Sequence, residues 1–333
     1  MMRALLLAAL AAATLAAQSA AAEAIKIGIQ KLEGQGPLFI AEEKGYFRAE
    51  GLDAELVYFT SAQPIATGVV SGDLDFAVAG FGAGFYNLAA QGALRIIAAY
   101  VREAPSFQAT AYVISNRAYG EGFTKLEDFA GKTVAVMQVG SSQHYALGRL
   151  AEKYGFDLKN VRVVAVQSGA NEATAVVGGQ VDAAVVPETY VKSALQAGQA
   201  KLIGWVGDET PWQLGSAFTS TRIANERGET VRKFLRAYKK GVTEFHDAFV
   251  GADERRQDGP TAPEVLAIVG KYVGEPAEKV RLAVPYYDRE ARLDVKDVLH
   301  QIAWYKAQGM LKSDVDGEAL IDSRYVVPLP DRP

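Results

Sequence analysis

Val69-Val70-Ser71-Gly72-Asp73-Leu74-Asp75-Phe76-Ala77-Val78 is echoed further along the chain by Val176-Val177-Gly178-Gly179-Gln180-Val181-Asp182-Ala183-Ala184-Val185. Gly51-Leu52-Asp53, leading into Glu55-Leu56-Val57, likewise matches Gly155-Phe156-Asp157, leading into Val161-Arg162-Val163-Val164. Upstream of each, an apolar run (residues 25–29, then 133–137) is followed by a glycine-containing turn and a helical pattern. Matches in the same order and at similar offset predict two α/β lobes built to one plan. Two lobes imply a cleft between them, and a cleft is where function is expected to sit.

Outward from these stretches, strand-like runs at residues 55–59, 75–79 and 94–101 alternate with helix-like runs and short turns. This is the pattern of mostly parallel sheets flanked by helices, an α/β class. After a strand at 109–115 the plan restarts, with strands near 133–137, 161–166, 183–186 and 202–206, and residues 213–220 read as a strand returning to the first lobe. From Glu229 the chain reads as helix, because Val231, Phe234, Leu235, Tyr238, Val242, Phe245 and Phe249 recur at spacings of three and four. The expected division is residues 23–111 for the first part of lobe one, 112–212 for lobe two and 213–333 for the rest of lobe one with C-terminal helices. Two strand-like crossings, near 109–115 and 213–220, would then form the hinge.

A chain of 333 residues can bury two cores, and its 49% hydrophobic and 22% charged residues are ordinary for a globular protein. A net charge of -4 argues against nucleic acid as a partner. With no cysteine and three dispersed histidines, neither disulfides nor a metal site is expected, nor any cofactor. Residues 1–22 read as a cleaved secretory signal peptide, with Arg3 before an apolar stretch and Ala20-Ala21-Ala22 as the small-residue cleavage site. Without a cysteine there is no site for a lipid anchor, and no later stretch is apolar enough to span a bilayer. The expectation is a soluble, monomeric periplasmic protein.

Gly80-Phe81-Gly82-Ala83-Gly84 follows a predicted strand and opens a helix, the place of a dinucleotide fingerprint. Position 85 is Phe where G-x-G-x-x-G requires glycine, which removes that reading. What remains is geometric: glycines at a strand–helix junction let backbone amides approach a ligand, and a helix N-terminus favours a negative group. Gly140-Ser141-Ser142-Gln143-His144-Tyr145 offers the same chemistry in the second lobe, with plain N-capping as the alternative role of the serines. Ser141, Ser142 and His144 lack a G-x-S-x-G elbow, so no hydrolase triad is read there. Glu188, after an apolar strand, is placed to accept a hydrogen bond from a ligand or from the other lobe, and Asn171 lies on the same edge. Phe81, Phe85, Tyr86, Trp205 and Trp212 fit either a cleft wall or a core. Lys31 and Arg102, just after predicted strands, are the cations best placed to neutralise an anion.

Gly36-Pro37-Leu38-Phe39-Ile40-Ala41-Glu42-Glu43-Lys44-Gly45-Tyr46-Phe47-Arg48-Ala49-Glu50-Gly51-Leu52-Asp53 resembles a signature of the periplasmic solute-binding proteins of ABC importers, the nitrate, sulfonate, taurine and pyrimidine-precursor binders. Val70–Phe76, Gly131–Val136, Gly179–Ala183, Pro187-Glu188 and Ile321–Val326 are similar to further landmarks of that family. The resemblance implies a type II two-lobed fold that closes on a small ligand with an anionic head, a membrane permease as partner, and no catalysis. It also implies binding through strand-end loops and helix N-termini, where Gln35, Gly36, Gly80, Phe81, Gly82, Ser141, Ser142 and Asn171 fall. The aromatic candidates point to an organic anion, a sulfonate or a carboxylate, rather than a bare inorganic one. Because the resemblance group includes pyrimidine-synthesis proteins, an exported enzyme is the second reading and a sensory binding module the third.

Overall fold

The computed structural model describes residues 22–330, so the expected signal peptide lies, apart from Ala22, outside the described residues. Strands β1 (Glu23–Gln30), β2 (Leu52–Phe59), β3 (Phe76–Gly80) and β4 (Leu94–Ala99) alternate with helices α1 (Gly36–Glu43), α2 (Ala62–Ser71) and α3 (Ala83–Ala89). A short β5 (Arg102–Glu103) leads to β6 (Thr110–Ser115) and β7 (Thr133–Val136). Helix α4 (Ser142–Tyr154), β8 (Arg162–Ala165), α5 (Gly169–Val177), β9 (Ala183–Pro187), α6 (Glu188–Gln196) and β10 (Ala200–Trp205) complete the second unit. The chain returns through β11 (Trp212–Gln213) and β12 (Gly215–Ser220), then forms α7 (Gly228–Phe249), α8 (Ala262–Val273) and α9 (Val295–Ala307).

One sheet has the order β2-β1-β3-β12-β4 and the other β10-β6-β9-β7-β8. Read from β8, the second repeats the first: β8, β7, β9, β6 and β10 occupy the places of β2, β1, β3, β12 and β4. In each sheet one strand runs against the rest, β12 in the first and β6 in the second. The echoed stretches end on β3 and β9, the central strands, which are buried on both faces and therefore read as unbroken apolar runs. Their repeated aspartates do the same work. The Asp75 carboxylate accepts the Lys26 amide of β1 and pairs with Arg227, while Asp182 accepts the Thr133 amide of β7 and pairs with Arg117. In both lobes this ties the central strand to the start of its neighbour.

The crossings differ from expectation. Residues 110–115 lie inside the second sheet, paired with β9 on one side and β10 on the other, and every one of them is buried. Residues 215–220 are likewise held between β3 and β4. The two passages meet instead in an antiparallel ribbon, Trp212 opposite Glu103 and Gln213 opposite Arg102. An alternating apolar run looks the same whether it crosses or sits in a sheet, so the sequence could not separate the two.

Helix α7 lays its apolar stripe on the first sheet. Phe234 stacks on Phe76 at 4.2 Å between ring centroids and on Tyr238 at 5.8 Å. Helix α9 packs against α4 of the other lobe, where a side chain on Gly148 would stand 2.2 Å from the Trp304 ring. Among the described residues no helix is long and apolar enough to cross a membrane.

Candidate ligand-binding cleft

The C-terminal ends of β1, β3, β7 and β9 point their loops into one cavity of about 140 Å³ between the lobes. The first lobe supplies Glu33 and Gly34 after β1, Ser61, Ala62 and Gln63 at the start of α2, and Gly80 to Gly82 with Phe85 at the start of α3. The second lobe supplies Thr110, residues 137–143, Pro187 and Thr189. Two of the contacts between the lobes lie at the cavity's rim. The Ala83 amide donates to the Gly140 carbonyl at 2.7 Å, and the Thr189 hydroxyl donates to the Glu33 carboxyl at 2.5 Å.

The loop 137–141 is braced from the first turn of α4. Gln143 Oε1 accepts the Met137 amide at 3.0 Å while its Nε2 donates to buried Glu172. His144 Nδ1 accepts the Gly140 amide at 3.0 Å, and Gly140 itself has a φ of +79° that favours glycine. Ser141 caps the helix by accepting the His144 amide, which leaves the other first-turn amides without an intrahelical acceptor. Burial pushes the His144 imidazole down to about 4, below its ordinary 6.5. The unfolded chain therefore takes up that proton first, so the stabilisation is complete above pH 6.5 and is lost as pH falls toward 4. Urea midpoints measured between pH 4 and 7 are expected to fall more steeply in the wild type than in a His144→Gln variant; parallel curves would contradict this.

Of the residues singled out from the sequence, Gly80, Phe81, Gly82, Phe85, Ser141 and Ser142 line the cleft. Eight others do not. Lys31 is exposed to solvent. Gln35 is buried behind the wall, its amide donating to the Val78 carbonyl and the Tyr100 hydroxyl, and a side chain on Gly36 would strike Phe245. Arg102 is buried against Asp294 at 3.1 Å, an internal ion pair beside the hinge ribbon. His144 braces the loop as described, and Asn171 turns back onto the Val166 carbonyl. Glu188 is buried 3.9 Å from Lys192, with its carboxyl pushed up to about 7 by desolvation. Trp212 packs edge-on against Tyr145 at 4.8 Å, in core rather than cleft.

Sequence reading missed Glu33, Gln63, Thr110, Gln138 and Thr189. The signal for Glu33 and Thr189 was their place beside Gln35 and Glu188 in the same strand-end loops. Among the described residues no Lys, Arg or His side chain lines the cavity. Its polar groups are hydroxyls, amides and the Glu33 carboxyl; its apolar wall includes Phe81 and Phe85.

The model of the NMT1/THI5 like family matches residues 34–248, most of the cleft included. The chain belongs to the NMT1/THI5-like family. A Bacillus subtilis protein named for aliphatic-sulfonate binding is 26% identical over 222 residues, 66% of this chain and 64% of its own. The 4-amino-5-hydroxymethyl-2-methylpyrimidine phosphate synthase THI5 of Saccharomyces cerevisiae is 28% identical over 225 residues, 62% of each chain. The match thus spans less than two thirds of either relative's length. Among solved structures, the periplasmic aliphatic sulphonate binding protein SsuA of Escherichia coli superposes with a TM-score of 0.70 at 18% identity, over 93% of this chain and 95% of that one. The alkanesulfonate-binding SsuA of Xanthomonas axonopodis, bound to MOPS, gives 0.70 at 20% identity, over 93% and 100%. The periplasmic-binding-protein fold of this NMT1/THI5-like chain is therefore the one its sequence predicted.

Proposed function

We propose that this protein is the extracytoplasmic receptor of an ABC importer, capturing a small organic anion, a sulfonate or an aliphatic or aromatic carboxylate, between its lobes. The observation that carries the reading is the cleft itself. Backbone amides and serine hydroxyls at the start of α4 face an aromatic wall from the start of α3, and both lobes contribute. Such a site takes an anionic head through neutral donors, as helix N-termini do, and desolvates an organic body against phenylalanine. Closure follows because contacts to the second lobe are made only when the lobes meet. The secretory character of residues 1–22 supports a periplasmic location.

A thermal-shift screen of the protein, beginning at Glu23, against alkanesulfonates, arenesulfonates, aliphatic and aromatic carboxylates, pyrimidines, nitrate and bicarbonate tests this. A ligand at a hundred times its Kd is expected to stabilise the folded state by about 2.7 kcal/mol, a clear rise in Tm. Response to one organic-anion class, recovered unchanged, supports the receptor. Response to nitrate or bicarbonate alone overturns the organic-anion reading, and a ligand returned chemically altered favours an enzyme akin to the yeast synthases.

A further inference from the structure

The cleft that would hold an anion is lined by an acid. Glu33 is only 4% exposed, and its carboxyl meets the Thr189 hydroxyl of the opposite lobe at 2.5 Å. The groups around it come from three directions. Helix α6 brings Glu188, Tyr190 and Lys192, the stretch after α8 brings Glu275, and Tyr100 follows β4. Lys192 lies 3.9 Å from Glu188 and donates to the Lys279 carbonyl, while Lys279 pairs with Glu275 at 3.2 Å. One ammonium, Lys192, is thus left for two buried carboxyls, Glu33 and Glu188. A bound anion would add a further negative charge with no cation in the lining to meet it.

Resting on the receptor reading above, we propose that Glu33 sets the charge this cleft accepts: it is a neutral carboxylic acid in the closed complex, so each organic anion captured takes up one proton from solvent. The neutral acid keeps an acceptor for Thr189 and adds an O–H donor that a sulfonate or carboxylate oxygen can accept. The proton returns to solvent when the lobes part. Burial already raises the Glu33 carboxyl above its ordinary value, outweighing the lowering by Thr189, and an adjacent anion raises it further. Affinity is then greatest at low pH, falls roughly tenfold per pH unit once pH passes the acid's value in the free protein, and levels off above its higher value in the complex.

The experiment is isothermal titration of the protein with the tightest-binding sulfonate or carboxylate of the screen, from pH 5.5 to 8.5, in buffers of different ionisation enthalpy. The wild type is expected to take up close to one proton per anion at pH values between those of the free and liganded carboxyl, with affinity falling as pH rises. Glu33→Gln keeps the size and neutrality of the protonated acid. It is expected to bind at low pH like the wild type, to bind tighter than it at high pH, and to take up no proton; a thermal melt checks its folding. Proton uptake in the wild type shows that a group is protonated on binding, and its loss in Glu33→Gln assigns that group to Glu33 rather than to the neighbouring Glu188. Anion binding without proton uptake, or loss of binding in Glu33→Gln with an unchanged melt, overturns this inference while leaving the receptor standing. Binding by no sulfonate or carboxylate overturns both.

Discussion

Replacing Gly82 by valine is expected to weaken ligand binding by roughly 10- to 100-fold while leaving the melting temperature of the unliganded protein unchanged. Gly82 has a φ of -175°, extended backbone that any residue adopts, so the substitution brings no local strain. Its Cβ, however, would stand 2.9 Å from the Gly140 carbonyl oxygen, and that oxygen belongs to the opposite lobe. The same oxygen accepts the Ala83 amide, one of the contacts that bring the lobes together at the rim of the cavity. A side chain at position 82 therefore collides only when the lobes meet. Overpacking of this kind costs about 1–3 kcal/mol, and each 1.4 kcal/mol is tenfold in Kd. Gly140 is a poorer probe, since its positive φ would mix backbone strain with the steric block. Titration of Gly82→Val with the best ligand of the screen checks the prediction, and unchanged affinity would mean that the 82–140 contact is not part of the liganded state.

Phe234→Ala is expected to have the largest effect on stability, about 3–5 kcal/mol. The ring is fully buried between α7 and the first sheet, stacked on Phe76, Phe47 and Tyr238. Removing it takes away the apolar surface and leaves a cavity that three aromatic rings, each held by its own neighbours, cannot fill. Urea unfolding followed by circular dichroism reads this directly, and a loss under 1 kcal/mol would show that α7 is held to the sheet by something other than this stack. Because Phe234 stacks on Phe76, at the end of β3 opposite the cleft-lining Gly80, the folded fraction should still bind ligand.

Much of the fold was legible because it repeats. Glycine–aspartate turns before an apolar strand need particular residue types, so Gly72-Asp73-Leu74-Asp75 and Gly179-Gln180-Val181-Asp182 announced the same supersecondary unit twice. Asp75 and Asp182 explain why: each caps the strand edge of its own lobe in the same way. The long helix was legible from its 3.6-residue stripe, seen through Phe234 and Tyr238. The crossings were not, because burial of 110–115 between two neighbours depends on pairing with strands still to come in the chain.

At the cleft, the sequence by itself determined that the loops after β3 and β7 would line it. Loops at the C-terminal ends of parallel strands gather on one edge of a sheet, and the positions of Gly80, Gly82, Ser141 and Ser142 follow from that rule. Which side chains of those loops turn inward was decided only by tertiary structure. Lys31 and Glu33 are two residues apart in one loop, yet the first points to solvent and the second meets Thr189 from the other lobe. Arg102 reads as a free cation after a strand until Asp294, far along the chain, arrives beside it. The physical reason is the same in each case: periodicity and turn chemistry are local and survive in one dimension, whereas the charge of a cleft is set by pairings between residues that only folding brings together.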